Sequence, residues 1–428
     1  MKIYNNPSNA EWAALLKRPA FDSTALEATV GNILKAIQLG GDTAVRSYTA
    51  QFDKVELTDL LVSKAEIAEA LPQVSEELKN AIVQAKNNIE KFHSAQQSIV
   101  EKIETTEGVL CWRKSIAMDK VGLYIPGGTA PLFSTLLMLG VPATIAGCKE
   151  IVVCTPCGKD GKINPVILFV ADLIGVTKLF KIGGVQAIGA MAYGTETVPQ
   201  VYKIFGPGNQ YVTCAKQLIS KAGVAIDMPA GPSEVAVYAD ETSNASFVAA
   251  DLLSQAEHGT DSQVLLVGSN ISVVEKVMAA VAAQLEILPR KEIAAKSLAN
   301  SRYIVMENVG DAFELLNEYA AEHLIIASDN AIALAEKVTN AGSVFLGHYS
   351  PESVGDYASG TNHTLPTNGY ARSYSGVSLD SFVKKITYQQ LSQEGIKNIG
   401  GAVELMADAE GLHAHKNAVT IRIKTLNS

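Results

Sequence analysis

The stretch Val201-Tyr-Lys-Ile-Phe205-Gly206-Pro-Gly208-Asn209 joins a short β-rich run to a glycine turn, and a helical run follows it to residue 220. Similar units occur from residue 109 onward. The strand candidates are 120–124, 151–154, 179–182, 201–205, 235–238, 264–267, 303–305, 324–326 and 343–346. Helical runs fall between them, at 165–173, 209–220, 243–258 and 273–284. This alternation predicts parallel sheets joined by crossover helices, and hence an α/β fold.

Both ends of the chain are predicted to be helical. Apolar side chains keep helical spacing near the start, at Leu26, Val30, Ile33, Leu34 and Ile37, and Gly40-Gly41 ends that run. His93 follows a second apolar stripe, and we expect it on a solvated face. The last fifty residues predict helices at 381–391, 394–407 and 412–420, with Gly400-Gly401 as a candidate break in the second.

Composition narrows the class of protein. The chain has 428 residues, 47% of them hydrophobic, which is enough for two or three domains. Its net charge of −9 argues against a nucleic-acid binder. No secretory signal and no apolar run long enough to span a membrane is visible, and five cysteines do not form a disulfide framework. We therefore expect a cytoplasmic enzyme without nucleic-acid or membrane partners.

The glycine turn at Gly206 is the nearest match to a dinucleotide-binding fingerprint. It follows a strand and opens a helix, but Tyr211 stands where the third glycine belongs. The acid expected about twenty residues further on would be Asp227. The turn is therefore either a pyrophosphate cradle or a plain tight turn, and composition and spacing leave both interpretations open.

Scarce histidines fall in short polar segments. Gln255 and His258 are three residues apart at the end of a helix, where they share a face and either chelate a metal or form an amphipathic edge. Glu322 and His323 precede an apolar run, and neighbours in an extended chain point to opposite sides, which suits two separate roles. A histidine beside a carboxylate is typical of proton transfer, although a solvated loop would also use this pair.

Two further segments carry histidines. Gly355-Asp356-Tyr-Ala-Ser-Gly360-Thr-Asn-His363 is a glycine-punctuated loop that is either functional or a surface turn. Glu410-Gly-Leu-His413-Ala-His415 opens the last helix. A helix does not direct residues two apart at one point, so at most one of these two histidines should be a ligand.

Together these segments resemble the L-histidinol dehydrogenase family. The resemblance rests on Gln-Ala-Glu-His-Gly at 255–259, Ala-Glu-His-Leu at 321–324, Gly-Asp-Tyr-Ala-Ser-Gly-Thr-Asn-His at 355–363 and Ala-His-Lys-Asn-Ala at 414–418, in this order. Supporting segments lie at 121–128, 205–209 and 228–235. The resemblance spans nearly the whole chain. It implies oxidation of L-histidinol to L-histidine through the aldehyde, with two NAD⁺ and one water, as the last step of histidine biosynthesis.

The resemblance also implies a set of site residues. One zinc ion per subunit would be held by Gln255, His258, Asp356 and His415. The substrate would be bound by Ser233, Gln255, His258, His323, Asp356, Glu410 and His415. NAD would contact Tyr124, Gln186 and Asn209. Glu410 and His415 would reach into the neighbouring subunit's site, which implies a homodimer with shared active sites.

The architecture implied by the resemblance is two incomplete Rossmann-like parallel-sheet domains, one inserted in the other, with small helical terminal segments. We expect an N-terminal helical segment at 1–20 and a C-terminal one at 376–428. The main domain would comprise 21–120 and 233–375 and hold the zinc and substrate site. The inserted domain, at 121–232, would contact NAD.

Catalytic roles follow as hypotheses. His323 would be the base for the alcohol proton and would act again in the second hydride transfer, and Glu322 would activate the water that hydrates the aldehyde. Zinc would orient the substrate and polarise the reacting oxygen. Three alternatives stay open: a metal-dependent hydrolase, a binding protein without activity, and a dehydrogenase of another amino alcohol or of a sulfonated alcohol.

Overall fold

The computed structural model describes residues 2–18, 23–127, 131–229 and 231–427. Gly128 and Ala230, which belong to two of the segments quoted above, lie outside the described residues. Strands and helices alternate from residue 120 onward, which confirms the α/β fold class. Each of the nine predicted strands is present with its ends within about two residues of the prediction, the usual uncertainty of strand boundaries.

The strands, in chain order, are β1 (Ile3–Asn5), β2 (Lys102–Thr106), β3 (Val109–Ala117), β4 (Lys120–Tyr124), β5 (Glu150–Thr155), β6 (Lys178–Lys181), β7 (Lys203–Phe205), β8 (Ala225–Ile226), β9 (Glu234–Ala239), β10 (Gln263–Gly268), β11 (Arg302–Val305), β12 (His323–Ala327), β13 (Ser343–Leu346) and β14 (Val383–Leu391).

The helices are α1 (Asn9–Leu15), α2 (Ser23–Phe52), α3 (Lys64–Ala70), α4 (Glu76–Ser94), α5 (Phe133–Ala146), α6 (Pro165–Leu173), α7 (Gly184–Tyr193), α8 (Gln210–Lys221), α9 (Ala245–Ala256), α10 (Ile271–Leu285), α11 (Lys291–Ala299), α12 (Val309–Tyr319), α13 (Ala331–Ala335), α14 (Glu352–Tyr357), α15 (Gln393–Ala409) and α16 (His413–Leu426). Among the described residues, none of these helices is both long and apolar enough to cross a membrane.

Two parallel sheets organise the chain. The first has six strands in the order β1-β11-β10-β9-β12-β13, and the second has five in the order β6-β5-β4-β7-β8. Every residue of β9 and β10 is buried, because helices cover both faces of such a sheet. All strands of the second sheet lie between β1 and β9 in the chain, so one α/β unit is inserted in the other.

Helices α2, α3 and α4 pack on the inserted unit. Side chains of α2, including Val30 and Ile37, share a core with Ile188 of α7 and Val212 of α8. Helix α2 is interrupted at Gly41, whose φ is +52°, where the sequence predicted that the helical run ends. The domain boundaries stay a prediction, and this packing favours placing residues 23–94 with the five-stranded sheet.

The predicted helix at 381–391 is wrong, because the chain there forms strand β14. It pairs antiparallel with β3, which in turn pairs with β2. Lys102–Thr106 and Val109–Ala117 had not been predicted as strands. Most side chains of β14 are at least partly exposed, so the burial alternation that identifies a strand is missing from its sequence.

Two further expectations near the chain ends are corrected. Gly400 does not break α15; a Cβ there would meet Ile423 and Val419 of α16, so the glycine lets the two helices pack closely. His93 is fully buried rather than solvated, since its helix packs against α5. Its Nδ1 lies 3.3 Å from Oε1 of Gln96.

Candidate active site

Ser233, Glu322 and His323 lie at the amino ends of two adjacent strands in the middle of the six-stranded sheet. Strand β9 begins at Glu234, β12 begins at His323, and the two strands pair in parallel. Residues at the starts of two paired parallel strands meet at one edge of the sheet. The predicted catalytic pair and Ser233 therefore share the amino edge.

Glu322 is a buried carboxyl group with one defined hydrogen bond. Its Oε2 accepts the backbone N–H of Glu234 at 2.9 Å. Burial raises the pKa of Glu322 to about 8, even though the neighbouring His323 acts to lower it. A carboxyl group whose pKa lies near neutrality is suited to general acid–base catalysis.

His323 is buried among polar groups on both sides of its ring. Its Nδ1 lies 3.0 Å from Nε2 of Gln255 and 3.3 Å from the carbonyl oxygen of Glu234. Its Nε2 lies 3.4 Å from Oδ1 of Asp356. Burial alone would lower the pKa of His323, but the nearby carboxylates, chiefly that of Glu322, raise it to about 10.

The structure corrects the expectation that Glu322 and His323 point to opposite sides. Oε2 of Glu322 lies 3.7 Å from Nδ1 of His323. Glu322 precedes the first residue of β12, so the alternation of an extended strand does not apply to the pair. Two titratable groups this close interact, so they titrate as a coupled pair and not independently.

Gln255 lies in the last turn of helix α9 and is fully buried. Its Nε2 is within hydrogen-bonding distance of His323 and of the Glu234 carbonyl, but its Oε1 is a buried oxygen without a partner. An unpaired buried amide oxygen is uncommon, and an ion or water explains such cases. The oxygen is therefore available as a metal ligand.

His258 and Asp356 complete the part of the predicted zinc set that one chain supplies. Asp356, in α14, contacts His323, and this contact lowers its pKa although burial opposes the change. The His258 side chain is exposed; partial desolvation lowers its pKa, and the charge of Asp356 acts in the opposite direction. Gln255 and Asp356 thus contact His323, and His258 is close enough to Asp356 and His323 for their charges to act on its pKa.

No three His, Cys, Asp or Glu side chains within the described residues are grouped so that they could hold a metal ion. The predicted set does not require such a group in one chain. Its third member is the amide of Gln255, and its fourth, His415, is predicted to come from a second subunit.

Sequence reasoning missed Glu352. Its side chain is 1% exposed, Oε1 accepts the hydroxyl of Ser254 at 2.6 Å, and Oε2 is a buried oxygen without a partner. Burial raises the pKa of Glu352 to about 7. Glu352 lies four residues before Asp356 on α14, so the two carboxyl groups share a helix face, and this spacing was the available signal.

His363 links the polar cluster to the inserted unit. Its Nδ1 lies 2.8 Å from the carbonyl oxygen of Asp356, and its Nε2 lies 3.1 Å from Oγ1 of Thr135. Thr135 belongs to the first turn of α5. Pro131, just before this helix, lines a large cavity on the other unit. The loop that carries His363 therefore connects the two regions.

This cavity has a volume of about 1000 Å³ and lies beyond the carboxyl ends of the five-stranded sheet. The strand order reverses between β4 and β7, the position where such sheets bind nucleotides. The three residues predicted to contact NAD line it, namely Tyr124, Gln186 and Asn209. Oε1 of Gln186 and Oγ1 of Thr155 are buried there without partners.

The glycine turn before α8 leads directly into Asn209 and Tyr211, which line the cavity. A Cβ on Gly206 would collide with the carbonyl oxygen of Tyr124, so the turn requires glycine there. Asn209 caps α8 by accepting the backbone N–H groups of Tyr211 and Val212. Asp227, the acid expected for ribose, is instead buried against Lys216 and accepts the N–H of Gly206 at 2.8 Å. It is not available to a ligand.

Glu410 and His415 lie away from this cluster in the same chain. Glu410 follows the end of α15 and His415 is in the first turn of α16, and both side chains are exposed. Among the hydrogen bonds and ion pairs of the described residues, none joins either side chain to the polar cluster. The structure of one chain therefore assembles the predicted site without these two residues.

Comparison with known proteins gives consistent matches. A family model described as histidinol dehydrogenase matches residues 16–423. The chain is 61% identical to histidinol dehydrogenase of Bacteroides thetaiotaomicron and 52% identical to that of Xylella fastidiosa, over 100% and 99% of both chains, respectively. The crystal structure of histidinol dehydrogenase from Elizabethkingia anophelis superimposes with a TM-score of 0.98 at 56% identity, covering 100% of this chain and 99% of that one.

Proposed function

Because this chain belongs to the histidinol dehydrogenase family, and is therefore an enzyme of histidine biosynthesis, we propose that it oxidises L-histidinol to L-histidine through the aldehyde in two NAD⁺-dependent steps and that it uses zinc. One observation carries the mechanism. The buried pair Glu322 and His323 lies beside an unpaired amide oxygen of Gln255, and His363 connects this cluster to a cavity large enough for a dinucleotide.

The donor set supports zinc. The amide oxygen of Gln255, the imidazole of His258 and the carboxylate of Asp356 are N and O ligands that zinc accepts, with His415 of a second subunit as the fourth. When bound, the ion would supply a Lewis acid for the substrate and would offset the carboxylate charge that raises the pKa of His323. An amide ligand in place of a second carboxylate leaves the ion more positive.

His323 would accept the hydroxyl proton of L-histidinol while hydride leaves the same carbon for NAD⁺. Its position supports this role, because Gln255 contacts the ring at Nδ1 and Asp356 lies next to its Nε2. A base with a fixed ring needs little rearrangement as the proton moves. Ser233, at the same edge, would bind the substrate with the ligand residues.

Glu322 would take a proton from the water that adds to the aldehyde. Its raised pKa makes it a stronger base than an exposed glutamate once it is ionised. His323 would then accept the proton of the hydrate hydroxyl during the second hydride transfer. Two bases would thus serve three proton transfers, His323 in the two hydride-transfer steps and Glu322 in the hydration between them.

The cavity supports NAD as the hydride acceptor. It lies at the strand-order reversal, Tyr124, Gln186 and Asn209 line it, and Gln186 offers an unpaired oxygen. We also propose a homodimer whose sites are completed by Glu410 and His415 of the other subunit. We expect it in the cytoplasm, without nucleic-acid or membrane partners.

The test measures NADH absorbance with L-histidinol and with L-histidinal, with and without a chelator. Glu322→Gln should slow aldehyde oxidation by about 10²–10⁴-fold, the usual contribution of a general base, and slow alcohol oxidation less. Glu336→Gln, an exposed position, serves as the control. A larger loss in alcohol oxidation would contradict the role of Glu322, and no NADH from L-histidinol would contradict the proposed function.

A further inference from the structure

The cavity contains a carboxylate that none of the roles above uses. Asp53 follows the end of α2 and lines the cavity next to Gln186, whose Nε2 donates to its Oδ2 at 3.3 Å. No hydrogen bond or ion pair of the described residues reaches its Oδ1. Asp53 is half-buried, and burial raises its pKa, which marks a poorly compensated charge.

The acid that would bind the ribose of a dinucleotide here is not Asp227. In dinucleotide-binding sheets an acid accepts the ribose hydroxyl groups, and Asp227 stands at about the expected distance along the sequence. The carboxylate of Asp227 is already paired with Lys216 and accepts two backbone N–H groups. A carboxylate for the ribose would therefore come from Asp53, just after α2, and not from the sheet.

The cations near the cavity are already paired. Nζ of Lys162 lies 2.8 Å from Oε1 of Glu69, and Nζ of Lys181 lies 2.7 Å from Oε1 of Glu66. The charged residues among the described lining of the cavity are four acids and one base: Asp53, Glu66, Glu69, Asp160 and Lys162. A ligand with a phosphate added to its ribose would meet excess negative charge and, in the described part of the lining, no cation that lacks an acidic partner.

We propose that Asp53 makes this enzyme select NAD⁺ over NADP⁺, by accepting hydrogen bonds from the hydroxyl groups of the adenosine ribose and by repelling a 2′-phosphate. The inference rests on the proposed function, because it names a specificity residue for that NAD site. A carboxylate discriminates twice, since it bonds a hydroxyl group and opposes a phosphate at the same position.

The place of Asp53 in the cavity indicates the adenosine end. In the proposed site the nicotinamide would face the end at Pro131, because α5 begins just after this residue and its Thr135 contacts His363. Within the described ranges, Asp53 has a side-chain hydrogen bond to Gln186 and none to a residue of the proposed catalytic cluster. With the nicotinamide at the Pro131 end, we assign the ribose next to Asp53 to the adenosine half of the dinucleotide.

The experiment measures binding without turnover, by calorimetry of NAD⁺, NADP⁺, 5′-AMP and adenosine 2′,5′-bisphosphate with the purified full chain and no histidinol. In the unaltered protein, we expect NAD⁺ and 5′-AMP to bind more tightly than their 2′-phosphorylated counterparts. Asp53→Asn, which keeps the size of the side chain, should weaken NAD⁺ about tenfold and strengthen NADP⁺ about tenfold, as expected for one charge-assisted hydrogen bond. An unchanged melting temperature establishes that the variant folds.

Asp160→Asn is the matched control, because it removes one charge from an exposed position on the same cavity. It should change the NAD⁺ to NADP⁺ affinity ratio by less than about threefold, as expected for an exposed charge. If folded Asp53→Asn leaves the ratio unchanged, or shifts it no more than Asp160→Asn, Asp53 is not the selecting residue. If the unaltered chain binds neither dinucleotide, the proposed function fails together with this inference.

Discussion

At the scale of single residues, Gln255 carries the most information about the site. A buried amide oxygen without a partner costs about 1–3 kcal/mol, so proteins rarely retain one without a use for it. Nε2 of Gln255 contacts His323 and the Glu234 carbonyl, and these contacts orient the amide so that Oε1 is the atom left over. Oε1 is thus the atom that we propose binds zinc.

The zinc content of purified variants tests the proposed ligands directly. Asp356→Asn and His258→Ala should each lower the zinc affinity by more than about 100-fold, since loss of even a supporting partner costs 10–100-fold. Metal is measured per subunit after dialysis against a weak chelator. His348→Ala is the control, because this histidine pairs with Asp329 at 3.0 Å and is not in the predicted set. A variant that retains its full zinc content removes that residue from the ligand set.

Sequence reasoning found the residues whose type is scarce and whose neighbours are distinctive. His323 and Asp356 stand in polar segments that a short window reveals, and the structure brings them together. Asp53 and Glu352 could not be identified in this way. Acidic residues are common, and what sets these two apart is burial beside residues distant in sequence, such as Gln186 for Asp53 and Ser254 for Glu352.

At the scale of elements, a buried ion pair holds the turn that opens α8 against the sheet. Nζ of Lys216 donates to the carbonyl oxygen of Gly206 at 2.8 Å and contacts Asp227. Asp227 also accepts the N–H groups of Gly206 and Met228. The pair therefore joins α8, the end of β8 and the turn at Gly206. Each buried charge is compensated by the other.

Lys216→Met should destabilise the protein by about 3–5 kcal/mol, because it leaves the buried carboxylate of Asp227 without its partner. The double variant with Asp227→Asn should recover part of this loss. Lys221→Met, at an exposed position of the same helix, should change stability by less than about 0.5 kcal/mol. Denaturant unfolding followed by circular dichroism measures the differences. Equal stability of the Lys216 and Lys221 variants would contradict the structural role of the pair.

Whether a strand could be predicted depends on whether its own sequence carries the signal. Nine of the eleven strands of the two parallel sheets, all except β1 and β8, were predicted because continuous apolar runs mark strands buried on both faces. Strand β14 was not, because it is defined by pairing with β3, more than 250 residues away, and most of its side chains face solvent. A pairing of this kind leaves no periodic signal in either segment alone.

At the scale of the whole molecule, the proposed NAD site and the proposed catalytic pair lie at opposite kinds of sheet edge. The cavity lies at the carboxyl ends of the five-stranded sheet, whereas Glu322 and His323 lie at the amino edge of the six-stranded sheet. The rule that places ligands at carboxyl ends therefore locates the cavity but not the proposed catalytic pair. The loop with His363 and the start of α5 join the two edges.

The α15–α16 hairpin is the part of the molecule whose function a single chain does not explain. Its helices pack on each other and α15 packs on the antiparallel sheet, yet α16 has no buried residue. Leu405 and Met406 are 75% and 67% exposed. Large exposed apolar side chains beside Glu410 and His415 are the expected features of an arm that enters a second subunit.

Mixing inactive variants tests whether the site is shared. Gln255→Ala and His415→Ala homodimers should both be inactive, because each site lacks one zinc ligand. If His415 serves the partner's site, a mixed dimer has one intact site, and random exchange should restore about a quarter of the original activity. Gln255→Ala mixed with Asp356→Asn is the control, since both ligands come from one chain and no mixed dimer regains a site. Activity that stays absent after proven exchange, or that returns equally in the control, contradicts the shared geometry.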